Sequence, residues 1–103
     1  MHRSNSDYSK RPAINIAIQE IETNNIFKKL LGDNVKADYD KNSNIKFLGS
    51  DERVSFKIRA TGNIKQKILY VHAINNNQYG WSIETVKTRD ENQMITLYSS
   101  RNQ

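Results

Sequence analysis

The sequence predicts an α+β domain: an N-terminal helix, or a bent helix pair, packed on an antiparallel β-meander of five to six strands. Three observations carry this. Apolar residues recur at helical spacing only in the first third of the chain. After Gly32 the pattern turns to alternation with short polar turns. Helices followed by consecutive strands define the α+β class, because each layer must bury its apolar side against the other.

Pro12 suits the first turn of a helix, where its missing N–H is not needed. Ile14, Ala17, Ile18 and Ile21 then form one stripe, widened by Ile16. Met1 to Arg11 is polar and basic, so residues 1–12 read as a flexible arm, 13–98 as the single domain and 99–103 as a polar tail. Thr23 or Asn24 is placed to cap a second, short helix. Ile26, Phe27, Leu30 and Leu31 give that helix its apolar face, and Gly32 suits its end.

Val35, Ala37 and Tyr39 alternate with Lys36, Asp38 and Asp40, the period of a half-buried strand. Lys41 to Asn44 reads as a turn and Ile45 to Leu48 as a short strand. In Glu52 to Ala60, Val54, Phe56, Ile58 and Ala60 share one face; Arg53, Ser55, Lys57 and Arg59 share the other. Thr61 to Asn63 turns the chain into a long strand over Ile64 to Ile74. Asn75 to Gly80 is a turn, Trp81 to Lys87 the return strand, and Arg89 to Asn92 the turn before Met94 to Tyr98. The long strand is apolar on both sides: Ile68, Tyr70 and Ile74 against Leu69, Val71 and Ala73. That pattern fits a central strand buried on both faces, or a sheet whose second face meets a partner.

Composition bounds function. The 103 residues suffice for one domain. Sixteen basic against eleven acidic residues give a net charge of +5, which favours acidic partners. With no cysteine, thiolate zinc sites, disulfides and a cysteine nucleophile are excluded. No stretch reaches the ~20 apolar residues of a membrane span, so the chain as given reads as soluble. His72 is isolated from His2 and lacks the convergent partners of a metal or acid–base site. The acidic pairs Asp38/Asp40, Asp51/Glu52 and Asp90/Glu91 border turns, where Asp is common for backbone reasons. Gly32, Gly49, Gly62 and Gly80 stand singly at turns, so no phosphate loop is formed. No catalytic, cofactor or metal residue is nominated.

The most informative constellation is basic. Arg53, Lys57 and Arg59 alternate onto one strand face, and Lys46, Lys65 and Lys67 are candidates to join them from neighbouring strands. Such a surface suits an acidic protein segment. With Tyr70, Tyr79, Trp81 and Tyr98 it also suits single-stranded nucleic acid through base stacking. A third possibility is a small-molecule cup near Tyr70, His72 and Trp81. The bland possibility is a solvated outer face.

One resemblance adds to this. The run Ile26-Phe27-Lys28-Lys29-Leu30-Leu31-Gly32 followed by Val35, the strand Val54-Ser55-Phe56-Lys57-Ile58, and the turn Thr61-Gly62 occur in that order. Tyr70-Val71-His72-Ala73, Gly80-Trp81 with Ile83 and Val86, and Ile95-Thr96-Leu97 complete the pattern. Over roughly Ala13 to Leu97 the chain resembles the cytochrome c oxidase assembly factor 1 family. That family includes the intermembrane-space domain of subunit 21 of the mitochondrial presequence translocase. The resemblance implies a non-enzymatic docking or assembly domain without cofactor. It implies partners among membrane-complex protein subunits of the respiratory chain or translocase. It also implies membrane association facing the mitochondrial intermembrane space or the bacterial periplasm. Family members carry an N-terminal membrane span ahead of this domain, which the sequence given does not contain.

Overall fold

A computed structural model describes residues 4–40, 46–48, 50–76, 78 and 80–99. Two helices, α1 (Ser4–Thr23) and α2 (Asn25–Leu31), precede six strands. These are β1 (Lys36–Tyr39), β2 (Lys46–Leu48), β3 (Ser50–Thr61), β4 (Gln66–Asn76), β5 (Gly80–Asp90) and β6 (Gln93–Ser99). They form one antiparallel sheet in the order β1-β3-β4-β5-β6, with β2 pairing β3 beyond β1 on the same side. The α+β class and the meander are as the sequence predicts.

The helical region differs at its start. α1 begins at Ser4, so Pro12 lies inside it rather than in its first turn. The stretch read as an arm is therefore helical from Ser4. Proline removes one backbone donor, and the polar residues before it retain helical backbone. Ala13, Ala17 and Ile21 form the fully buried stripe, flanked by half-buried Ile14, Ile16 and Ile18.

Asn24 separates the helices. Its backbone is extended and its side-chain oxygen accepts from the Ile26 N–H at 2.9 Å. That satisfies one orphan donor of a helix start. Phe27 and Leu31 are fully buried, whereas Ile26 points to solvent. Gly32 ends α2 at φ +104°, a region open to glycine. The Leu31 carbonyl then accepts from the N–H groups of Ile64 and Lys65 at 2.9 and 3.1 Å. The last turn of α2 is thereby pinned to the β3–β4 turn.

The helices cover a single face of the sheet. Val54, Phe56, Ile58 and Ala60 of β3, Leu69, Val71 and Ala73 of β4, and Ile83 and Val86 of β5 join Ala13, Ala17, Ile21, Phe27 and Leu31 in one core. Ile68, Tyr70 and Ile74 lie on the opposite face and are only half-buried. β4 is central in the sheet, yet among the described residues no element covers its second side. The described residues thus bury β4 on one face only, not on both.

Strand bounds differ from the prediction: β4 begins at Gln66 rather than Ile64, because Ile64 and Lys65 turn to donate to the Leu31 carbonyl, while its far end and that of β5 run further. β4 continues through Asn75 and Asn76, and β5 through Arg89 and Asp90, leaving Glu91 and Asn92 as the tight turn. Ladder hydrogen bonds are made by the backbone, so polar turn formers do not end a strand while a partner remains alongside. The predicted turn at 41–44 lies outside the described residues.

Candidate functional site

The site is the open sheet face, built by register. β3 places Arg53, Ser55, Lys57 and Arg59 there, opposite Ile74, His72, Tyr70 and Ile68 of β4. β5 adds Ser82, Thr85 and Lys87 opposite Ile74, His72 and Tyr70. Glu84 is an extra residue: Ile83 pairs with Ala73 and Thr85 with His72, so a bulge lies between them. A half-buried row of Ile68, Tyr70, His72 and Ile74 thus runs between Arg53, Lys57 and Arg59 on β3 and Lys87 on β5.

The cations are partly matched. Arg53 lies 3.8 Å from Glu84, and Arg59 lies 3.8 Å from Asp40. Exposed pairs at that length contribute little to stability. Lys57 Nζ sits 5.4 Å from the Tyr70 ring centroid, within cation–π range. Lys87 pairs with Tyr70 from the other side. Tyr70 is therefore flanked by a lysine on each neighbouring strand.

His72 occupies the middle of the row. Burial lowers its pKa from the ordinary 6.5; Lys87 and Arg53 lower it further, and Glu84 opposes them. Beside it, Thr85 Oγ1 is buried with no hydrogen-bond partner among the described residues.

Of the nominated site residues, Arg53, Lys57 and Arg59 share this face as predicted. Lys67 does not. It pairs with Ala60, whose side chain is in the core, so alternation turns Lys67 toward the helix side; its Nζ donates to the Arg89 carbonyl at 3.3 Å. Lys65 lies in the β3–β4 turn, where its N–H serves the Leu31 carbonyl. Lys87 was not nominated. Alternation along β5 cannot be counted from its ends, because the Glu84 bulge shifts the phase.

The aromatic residues divide between the two faces. Tyr70 is on the open face. Trp81 and Tyr98 pack against the core from the helix side, and burial together with Glu20 of α1 raises the Tyr98 pKa. Tyr79 lies outside the described residues. A stacking platform of several rings is not assembled from the described ones, nor do Tyr70 and His72 converge with Trp81 on a cup. Among the described residues there is no cluster of His, Asp and Glu suited to a metal ion, and no helix long and apolar enough to cross a membrane.

Comparison with family models, curated proteins and solved structures yields no match.

Proposed function

We propose that this chain is a docking domain that works by protein–protein contact and carries out no chemistry of its own. The observation that carries this reading is the open sheet face: a half-buried apolar and aromatic row between Arg53, Lys57 and Arg59 of β3 and Lys87 of β5, left uncovered by either helix. Apolar area supplies affinity, and the cations steer and select an acidic partner. The resemblance to the cytochrome c oxidase assembly factor 1 family supplies the partner class. These are membrane-complex protein subunits of the respiratory chain or the presequence translocase, met through an acidic segment. The setting it implies is a membrane facing the intermembrane space or the periplasm.

The test is capture from detergent-solubilised membranes with the wild-type domain and two variants. Arg53→Glu/Lys57→Glu/Arg59→Glu reverses the β3 row. Lys57→Gln/Lys87→Gln removes the lysines beside Tyr70 and leaves both ion pairs intact, guarding against misfolding of the first. Wild type is expected to bring down defined subunits, and both variants to lose them by about tenfold or more. Capture unaffected by either variant overturns the reading. Recovery of nucleic acid alone, with steep salt dependence, assigns the face to single strands instead.

A further inference from the structure

The two edges of the sheet are finished differently. β1 carries Lys36 and Asp38, and its Ala37 N–H donates to Glu22 Oε2 of α1 at 2.9 Å. Charged residues and a capped donor are devices that keep an edge strand from pairing. β6 forms the other edge. It reads Gln-Met-Ile-Thr-Leu-Tyr-Ser, with no charge and no proline.

β6 is apolar on both of its sides. Met94 and Ile95 are 46% and 37% exposed. As consecutive strand residues they point to opposite faces, Met94 paired with Arg89 and Ile95 with Thr88. A body resting on either face would cover only one of them. A strand added beside β6 flanks both. On the helix side α2 packs near β6 and presents Ile26, also exposed. On the open side Lys87 and Arg89 of β5 lie one strand in, behind Thr96 and Met94. A strand added at ~4.8 Å from β6 comes within reach of those long side chains.

We propose that the β6 edge accepts a strand from a protein partner, one with acidic residues on its open-face side and apolar residues on its helix-face side. This deepens the docking reading and rests on it. Charge decides against a second copy of this chain as the occupant. Pairing β6 with itself would bring two sets of Lys87 and Arg89 to one seam, with no acidic residue on β6 to offset them and a net charge of +5 on each chain. The bulge between Val86 and Lys87, where Leu97 is the extra residue, confines the regular edge to Gln93–Thr96. The added ladder is accordingly short, and main-chain hydrogen bonds supply affinity while alternate side chains supply selectivity.

The experiment uses a peptide alternating Glu and Val, with a matched Lys–Val peptide, and reads amide hydrogen exchange of the whole chain. The Glu–Val peptide is expected to slow exchange within β6 by about tenfold or more at saturation. The Lys–Val peptide leaves β6 unchanged, and Met94→Glu, at an exposed position, weakens Glu–Val binding severalfold. Binding that perturbs only Lys57, Tyr70 and Lys87 overturns the edge inference while the open-face reading stands. No binding of the Glu–Val peptide overturns the edge inference, and the membrane capture judges the docking reading separately. A concentration-dependent dimer abolished by Met94→Glu also overturns it, by giving the edge to a second copy.

Discussion

His72 shows how one side chain records the character of its face. It faces Ser55 on β3 and Thr85 on β5, with Arg53, Glu84 and Lys87 around it. Its folded pKa is lowered, so near the ordinary value the unfolded chain binds the proton more readily. Stability tied to His72 is therefore full above pH 6.5 and is lost as pH falls from there toward the folded pKa. Denaturation midpoints are expected to fall less in His72→Gln than in wild type on going from about pH 7 to about pH 5. Equal slopes would show that the imidazole does not contribute. Under the docking proposal, an acidic segment on the open face would stabilise the protonated ring, so its binding should strengthen on mild acidification in wild type and lose that dependence in the variant. Thr85 supplies a second prediction. Its buried hydroxyl lacks a partner among the described residues, so Thr85→Val should stabilise by about 0.5–1.5 kcal/mol. A loss in chemical denaturation would reveal a hydrogen bond to that oxygen.

At the scale of the element, α2 is a short helix held by its ends. Seven residues cannot sustain a helix by propensity alone. The Asn24 cap secures the start, and Asn24→Ala is expected to cost about 1 kcal/mol. The far end depends on the β3–β4 turn. A methyl group at Gly62 would collide with the Leu31 carbonyl, the acceptor for Ile64 and Lys65. Gly62→Ala should therefore cost roughly 1–3 kcal/mol, with faster amide exchange in α2 as its signature. Retained stability would mean that α2 can shift without losing its contacts.

For the whole molecule, the governing fact is a sheet that the described residues cover on one face. Leu69 is fully buried beneath the helices, while its neighbour Ile68 is half-buried on the open side. Leu69→Ala should cost about 2–5 kcal/mol, and Ile68→Ala under about 1 kcal/mol. Similar losses at both positions in urea titrations would require a second covering layer. The same one-sided cover explains why so apolar a strand as β4 remains partly exposed, and why the docking reading centres on it.

Much of this was legible in the residues because local spacing dictates it. Alternation in β3 sorted Val54, Phe56, Ile58 and Ala60 from Arg53, Lys57 and Arg59, since a strand's side-chain period does not depend on its partners. Thr23 or Asn24 at the start and Gly32 at the end marked α2 through cap chemistry that is itself local, and the structure assigns the cap to Asn24. The return point of each strand was less legible, because Asn75, Asn76, Arg89 and Asp90 stay in the ladder through backbone bonds that side chains do not report. Tertiary structure alone decided which face of β4 the helices take, which side Lys67 joins, and that Lys87 stands beside Tyr70. It also decided that Glu22 caps the β1 edge. Those outcomes depend on register, on the Glu84 bulge and on packing between distant segments. Sequence spacing determines which side chains share a strand face; only the assembled sheet determines what lies across from them.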